Sequence, residues 1–267
     1  MTPEQPANPQ EILMKRYAII SDIHGNLPAL KSVENDFLAF GVDGVINLGD
    51  HASGPLWPQE TLDFLMSRDW LQIRGNQDRV LSQEDALILG PSDTFAFRNI
   101  LEQQRNWLSD IPKELVISPE IFVFHGSPEA DDDFLLEQTI GGRKCLGKID
   151  EIEQKLWKLN FKVFLCGHSH LSRCVRLRNG SLIINPGSVG LQAYKESCEV
   201  PYRVENGSPH ARYAILEQRN QQWTPSFRLI EYDWDSAAKK AAIEGRLDWE
   251  VALLTGFTET RSSPYPL

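Results

Sequence analysis

A chain of 267 residues, 41% hydrophobic and 24% charged, is long enough to bury a sizeable core as one large domain or two small ones. Its net charge of −10 repels nucleic acid and anionic membranes, which excludes general nucleic-acid binding and leaves room only for a local cationic site. No run approaches the roughly 18 apolar residues of a membrane span, and Met1 to Gln10 lacks the pattern of a secretory signal.

After a flexible leader over residues 1–14, Arg16 to Ile20 is an apolar run without helical period, which predicts a buried strand ending in Ser21-Asp22-Ile23-His24-Gly25-Asn26. Pro28 suits the first turn of a helix carrying Leu30, Val33, Phe37 and Leu38. Val42 to Leu48 predicts a second strand, stopping at Gly49-Asp50, and Leu62, Leu65 and Met66 share one face of a helix from Pro58 to Arg68. Trp70 to Ile73 then runs into Arg74-Gly75-Asn76-Gln77-Asp78. This rhythm predicts a parallel inner sheet. Asp85 to Asp110 reads as helix, and Leu115 to Ile117 with Glu120 to Phe124 as a hairpin that ends in His125-Gly126. Asp131, Asp132 and Asp133 read as a solvated helix start, with pocket-walling by residues 130–147 as the second choice. A helix over Ile149 to Leu159 leads to a strand over Lys162 to Cys166 and to Gly167-His168-Ser169-His170. Asn179-Gly180 predicts a hairpin between Arg173 to Leu177 and Ser181 to Ile184. A tight loop follows at Asn185 to Gly190, then a polar surface excursion from Gln192 to His210, two antiparallel strands (Ala211 to Leu216, Phe227 to Tyr232) and two short helices over Ser236 to Leu254. Without repeat or linker, one domain over residues 15–267 is expected. Cys145, Cys166, Cys174 and Cys198 show no Cys-x-x-Cys spacing and read as reduced thiols of a cytoplasmic protein.

Chemistry concentrates where strands end. Strand alternation puts His168 and His170 on one face, and likewise Asp22 and His24. One His-x-His is weak evidence, but five strand ends carry ligand-type residues: Asp22, His24, Asp50, Asn76, His125, His168 and His170. Open sheets bind ligands outside the carboxyl ends of their strands. A set of Asp, Asn and His without thiolate suits Mn²⁺, Fe²⁺, Zn²⁺ or Ni²⁺. Seven ligands exceed one tetrahedral ion, so two divalent transition-metal ions sharing a carboxylate are the economical reading.

The blocks Asp22-Ile23-His24, Gly49-Asp50, Gly75-Asn76-Gln77-Asp78, His125-Gly126 and Gly167-His168-Ser169-His170, in this order, resemble the calcineurin-like metallophosphoesterase superfamily, in particular its small bacterial and archaeal phosphoesterases. The resemblance implies a four-layer α/β/β/α sandwich of two mixed sheets flanked by helices. It also implies a first metal on Asp22, His24 and His170, a second on Asn76, His125 and His168, and Asp50 as their bridge. The implied activity is hydrolysis of phosphomonoesters or phosphodiesters by a hydroxide between the metals, on a small phosphorylated substrate or a phosphoprotein, with no membrane partner.

The chain departs from the pattern at Gln77, where the family has the histidine, oriented by the acid here numbered Asp78, that protonates the leaving group. An amide donates a hydrogen bond but no proton, and a lost general acid costs about 10²–10⁴-fold when the leaving group is poor. Aryl phosphates with acidic phenols are therefore expected to be cleaved better than alkyl phosphates. His51 is the remaining histidine nearby, but alternation turns it away from the metals. Arg74 shares a face with Asn76, within reach of phosphate or of a carboxylate such as Asp78. Asn26 and Ser188 are pocket candidates whose simpler role is to form turns. A competing reading is a metal-binding regulatory protein with weak or lost catalysis, marked by Gln77. A purely structural metal is disfavoured by the absence of thiolates.

Overall fold

The computed structural model describes residues 15–83 and 90–259, so the leader and residues 85–89 of the expected long helix lie outside the described residues. Its centre is a pair of five-stranded mixed sheets. In the first, β1 (Lys15–Ile20), β2 (Gly44–Asn47) and β3 (Leu71–Gln72) run parallel, and β13 (Ala211–Arg219) and β14 (Gln222–Ile230) continue antiparallel beyond β1. In the second, β5 (Ile121–Phe124), β8 (Val163–Leu165) and β10 (Leu182–Asn185) run parallel between the antiparallel edges β4 (Glu114–Ser118) and β9 (Arg173–Arg176).

The continuous apolar runs of the sequence follow from burial on both faces. In β1, Ile19 packs between the sheets with Ile46, Val123 and Leu165, whereas Ala18 and Ile20 point to an outer layer with Leu30, Val33 and Phe37. Likewise Ile121, Val123 and Val163 face inward, while Phe122, Phe124 and Phe164 meet Ile152 and Leu156 on the other side. Helices α1 (Leu27–Phe40), α7 (Trp234–Ile243) and α8 (Leu247–Thr255) cover the first sheet, and α6 (Ile149–Leu156) covers the second. Each layer of the expected sandwich is thus in place. Leu38, assigned to the buried face of α1, is instead 63% exposed, because Leu30, Val33 and Phe37 alone fill the stripe that faces the sheet. Gly41 closes the helix at φ 73°, a left-handed cap that costs glycine little.

The Gly-Asn-Gln-Asp block opens a helix, α3 (Asn76–Ser82). Three corrections concern local structure. The expected long helix divides into α4 (Pro91–Asn99) and α5 (Glu102–Asp110), which pack with α2 (Pro58–Met66) around Leu62, Leu81, Ala96 and Leu108. No helix starts at residues 131–133: Asp131 is bound by Arg79 at 2.8 Å and Asp133 by Lys155 at 2.6 Å, so the carboxylates are held by cations instead of a helix dipole. The segment from Gln192 to His210 is no plain surface loop. Its strands β11 (Ala193–Glu196) and β12 (Tyr202–Glu205) join β6 (Glu137–Ile140) and β7 (Arg143–Leu146) in a third, four-stranded sheet. Among the described residues, no helix is long and apolar enough to cross a membrane.

Candidate metal centre

The parallel strands β1, β2, β5 and β8 end at one edge of the paired sheets, and the seven expected ligands meet there. They do not sit on strands. Strand β1 stops at Ile20 and β8 at Leu165, and Asp22, His24, Asp50, His168 and His170 all adopt left-handed backbone, with φ between 51° and 67°. Strand alternation therefore does not aim them; turns held by other parts of the chain do. Asp22, Ile23 and His24 donate backbone N–H groups to Gly49 and Asp50 carbonyls at 2.9–3.0 Å, and Val189 and Gly190 donate to the carbonyls of Ser21 and Asp22. Left-handed conformations cost an Asp or His of order 1–3 kcal/mol each, and concentrate where a site over-determines them.

Two groups of side chains result: Asp22, His24 and His170, all buried, and Asp50, His125 and His168 beside it. Asn76 joins the second group through its Oδ1, 3.1 Å from His168 Nδ1. Asp22 Oδ1 lies 3.4 Å from His170 Nε2, and 3.9 Å from His125 Nε2 in the other group. Asp50 Oδ2 lies 3.3 Å from His125 Nε2, while its Oδ1 accepts the Gln77 N–H at 2.9 Å.

The imidazoles are oriented from behind. His24, His125 and His170 each turn Nδ1 to a backbone carbonyl, of Ser53, Leu48 and Leu191, at 2.6–2.9 Å. A carbonyl only accepts, so Nδ1 carries the hydrogen and Nε2 is a lone pair aimed inward, the tautomer a metal needs. His24 Nε2 and His170 Nε2 then face one another at 3.0 Å, which two neutral lone pairs do not tolerate. A shared cation removes the conflict. Asp22 Oδ1, His125 Nε2 and His168 Nε2 are buried without any hydrogen-bond partner, and such orphans are expensive. Donor set, tautomers and orphans all fit two divalent cations of the Mn²⁺ to Zn²⁺ class.

Electrostatics agree. Burial opposes charge on His125, but the Asp50 and Asp22 carboxylates outweigh it and hold its pKa up at about 10. Burial raises Asp50, yet His125 and His24 bring it down to about 2. Asp22 is lowered, burial being overcome by His170, His125 and His24. His168, desolvated and facing a charged His125, falls to about 4.

The remaining sequence candidates are sorted by what they touch. Gln77 lines the cavity over the metal ligands, and its Oε1 has no partner. Asp78 is wholly buried and does not face that cavity. It accepts N–H groups from Asp50, His51 and Gly75 at 2.8–2.9 Å and pairs with His51 Nδ1 at 2.7 Å. Asp78 and His51 therefore brace the turns that present Asp50 and Asn76. Arg74 lines a separate cavity of about 200 Å³ that His125 also lines, and its Nη1 donates to the Ser109 carbonyl at 3.4 Å, with no ion pair to Asp78 among the described residues. Asn26 caps α1 and donates to the Gly190 carbonyl and the Tyr232 hydroxyl, and Ser188 Oγ donates to the Asp22 carbonyl. Both are turn-formers.

Three rings that the strand-end pattern does not reveal also matter. Phe134 lies 4.4 Å from the His168 ring, Tyr194 4.8 Å from His170 and Trp249 6.2 Å from His24. They come from the 130–147 insert, the third sheet and α8, so only folding brings them together. With them the cavity reaches about 700 Å³.

The calcineurin-like phosphoesterase superfamily domain matches residues 15–206. An uncharacterised protein of Methanocaldococcus jannaschii is 23% identical over 252 residues, 87% of this chain and 94% of the relative. A metallophosphoesterase from Sphaerobacter thermophilus superposes with a TM-score of 0.70 at 22% identity, over 91% of this chain and 99% of that one. A hypothetical protein from Pyrococcus horikoshii gives 0.71 at 17% identity, over 90% and 98%. The matched domain spans the ordered blocks of candidate ligands, the parallel strands β1 to β3 of the first sheet and the whole second sheet: this chain belongs to the calcineurin-like phosphoesterase superfamily.

Proposed function

We propose that the protein is a metal-dependent phosphohydrolase, acting on phosphomonoesters or phosphodiesters with two divalent cations seated on the seven residues above. Asp22, His24 and His170 hold one cation, Asn76, His125 and His168 the other, and Asp50 is shared. When bound, such cations lower the pKa of a water and take up charge on phosphoryl oxygens. The observation that carries the reading is the confrontation of His24 Nε2 with His170 Nε2 at 3.0 Å while both Nδ1 hydrogens are committed to carbonyls. Gln77 sits where its amide can donate a hydrogen bond to a phosphoryl oxygen. A cavity of about 700 Å³ suits a small phosphorylated molecule, and four free cysteines suit a reducing compartment such as the cytoplasm.

Purified protein reconstituted with Mn²⁺ or Ni²⁺ is expected to hold two ions per chain and to hydrolyse p-nitrophenyl phosphate or bis-p-nitrophenyl phosphate. Asp50→Ala is expected to abolish both properties. One ion or none, or full activity in Asp50→Ala, refutes the proposal. Gln77 favours a second reading, a metal-binding regulatory protein without catalysis, and stoichiometric metal with no hydrolysis of either ester would establish it.

A further inference from the structure

Gln77 leaves a gap in the chemistry: a phosphoester with a poor leaving group needs a proton on the departing oxygen, and an amide has none to give. The other proton-bearing side chains of the cavity are mostly committed. Asp248 is bound by Arg246 at 2.7 Å and Lys195 by Glu259 at 2.6 Å. Asp132 is 63% exposed at the rim, 3.6 Å from Arg79. The Tyr194 and Tyr202 hydroxyls are pushed upward by burial and hold their protons too tightly.

Asp93, in the first turn of α4, differs from all of these. It lines the same cavity as Gln77, Asn76 and His24. Its Oδ1 accepts a hydrogen bond from Ser53 Oγ at 2.6 Å, and the Ser53 carbonyl accepts from His24 Nδ1 at 2.9 Å. Asp93 is thus tied by one residue to the backbone that orients a metal ligand, without touching a ligand itself. Asp93 lines the cavity, and among the described residues no cation pairs with it; Arg246, on the same cavity, donates to Ser92 Oγ and is held by Asp248. Burial, the largest influence, holds the carboxyl above its usual range. The Ser53 hydrogen bond pulls it down, and negative charge on Asp50, Glu196 and Asp78 pushes it up.

We infer that Asp93 is the proton donor to the leaving oxygen, taking the task that Gln77 cannot perform. The inference rests on the hydrolase reading above. In the step, a water oxygen forms its bond to phosphorus as the bond from phosphorus to the leaving oxygen breaks. The Asp93 Oδ2 proton passes to that oxygen, the water proton is lost to solvent, and Asp93 is reprotonated from solvent before the next turnover.

The test measures kcat/KM for a series of phosphate esters from p-nitrophenyl to alkyl, against pH, for wild type, Asp93→Asn, Ser53→Ala and Asp93→Asn with Gln77→His. Asp93→Asn should lose about 10²–10⁴-fold on alkyl esters and much less on the p-nitrophenyl ester, which departs without a proton. The alkaline fall of alkyl hydrolysis should disappear in Asp93→Asn. In Ser53→Ala it should move to higher pH, because the lost hydrogen bond stabilised the ionised carboxylate. Gln77→His should restore alkyl hydrolysis to Asp93→Asn. Equal losses on both ester classes, no loss on either, or a wild type that cleaves only aryl esters overturns the role of Asp93 while leaving the hydrolase reading intact. Absence of all hydrolysis in the two-metal wild type refutes the hydrolase reading instead.

Discussion

Five of the candidate ligands adopt strained backbone to face inward, and the turn that presents one of them, Asp50, is held by a carboxylate outside the candidate metal groups. Asp78 accepts three backbone N–H groups, from Gly75, Asp50 and His51, and pairs with the His51 ring. Gly75 has to be glycine for the same packing, since a Cβ there would stand 2.1 Å from Asp50 Oδ1. Asp78→Ala leaves three buried donors unpaired at about 1–3 kcal/mol each. Urea unfolding should therefore show a loss of about 3 kcal/mol or more, and metal titration an affinity about 10- to 100-fold weaker. A variant with unchanged stability and affinity would mean that the Asp50 turn holds itself. At this scale the sequence was unusually legible: the seven ligands recur as short ordered blocks, each beside a glycine or a strand end. The Asp78–His51 pair was legible only as two polar residues, because its meaning lies in backbone groups contributed by two distant turns. Strand alternation grouped residues that the structure also brings together, but for a reason the backbone contradicts.

Among elements, the inner strands follow from runs that are apolar on both faces and the covering helices from their apolar stripes, and these were readable, whereas the stacking into four layers came from the family resemblance. The third sheet was not, because its strands are four residues long and mix polar with apolar side chains, as in Tyr202-Arg203-Val204-Glu205. Such strands carry no period that separates them from loop. The packing of α1 on the first sheet carries its own test. Asp36 on α1 accepts from Arg228 Nε and Nη2 at 2.8 Å and from the Tyr213 hydroxyl, which joins the helix to β14 and β13. The Arg228 hydrogen bonds, followed by that of Tyr213, lower its pKa from 3.8 against the pull of burial. A depressed carboxylate contributes stability above its unfolded pKa and loses it as pH falls through the folded one. Asp36→Asn should thus cost about 1–2 kcal/mol at neutral pH, and chemical denaturation below pH 3.8 should find variant and wild type converging. A gap that persists unchanged in acid would assign the effect to shape, not charge.

For the whole molecule, the centre gathers two carboxylates and four imidazoles with orphaned acceptors, and the Asp50 and Asp22 carboxylates favour a proton on His125. Binding cations removes the orphans and releases that proton, so folding, metal and pH are linked. At metal concentrations 100-fold above Kd the folded state gains about 2.7 kcal/mol. For a chain of this size, at roughly 2–4 °C per kcal/mol, the melting temperature should rise by about 5–10 °C. The His125 pKa of about 10 fixes the sign of the pH effect: at neutral pH the proton is present and must leave, so affinity should weaken as the solution is made more acidic. Calorimetric titration with Mn²⁺ in buffers of different ionisation enthalpy should detect proton release near one per chain. A His125→Asn variant should bind with less release, because its amide competes for no proton. Binding without proton release in wild type would show that the neutral imidazole already prevails in the metal-free protein, and that the two carboxylates are balanced from elsewhere.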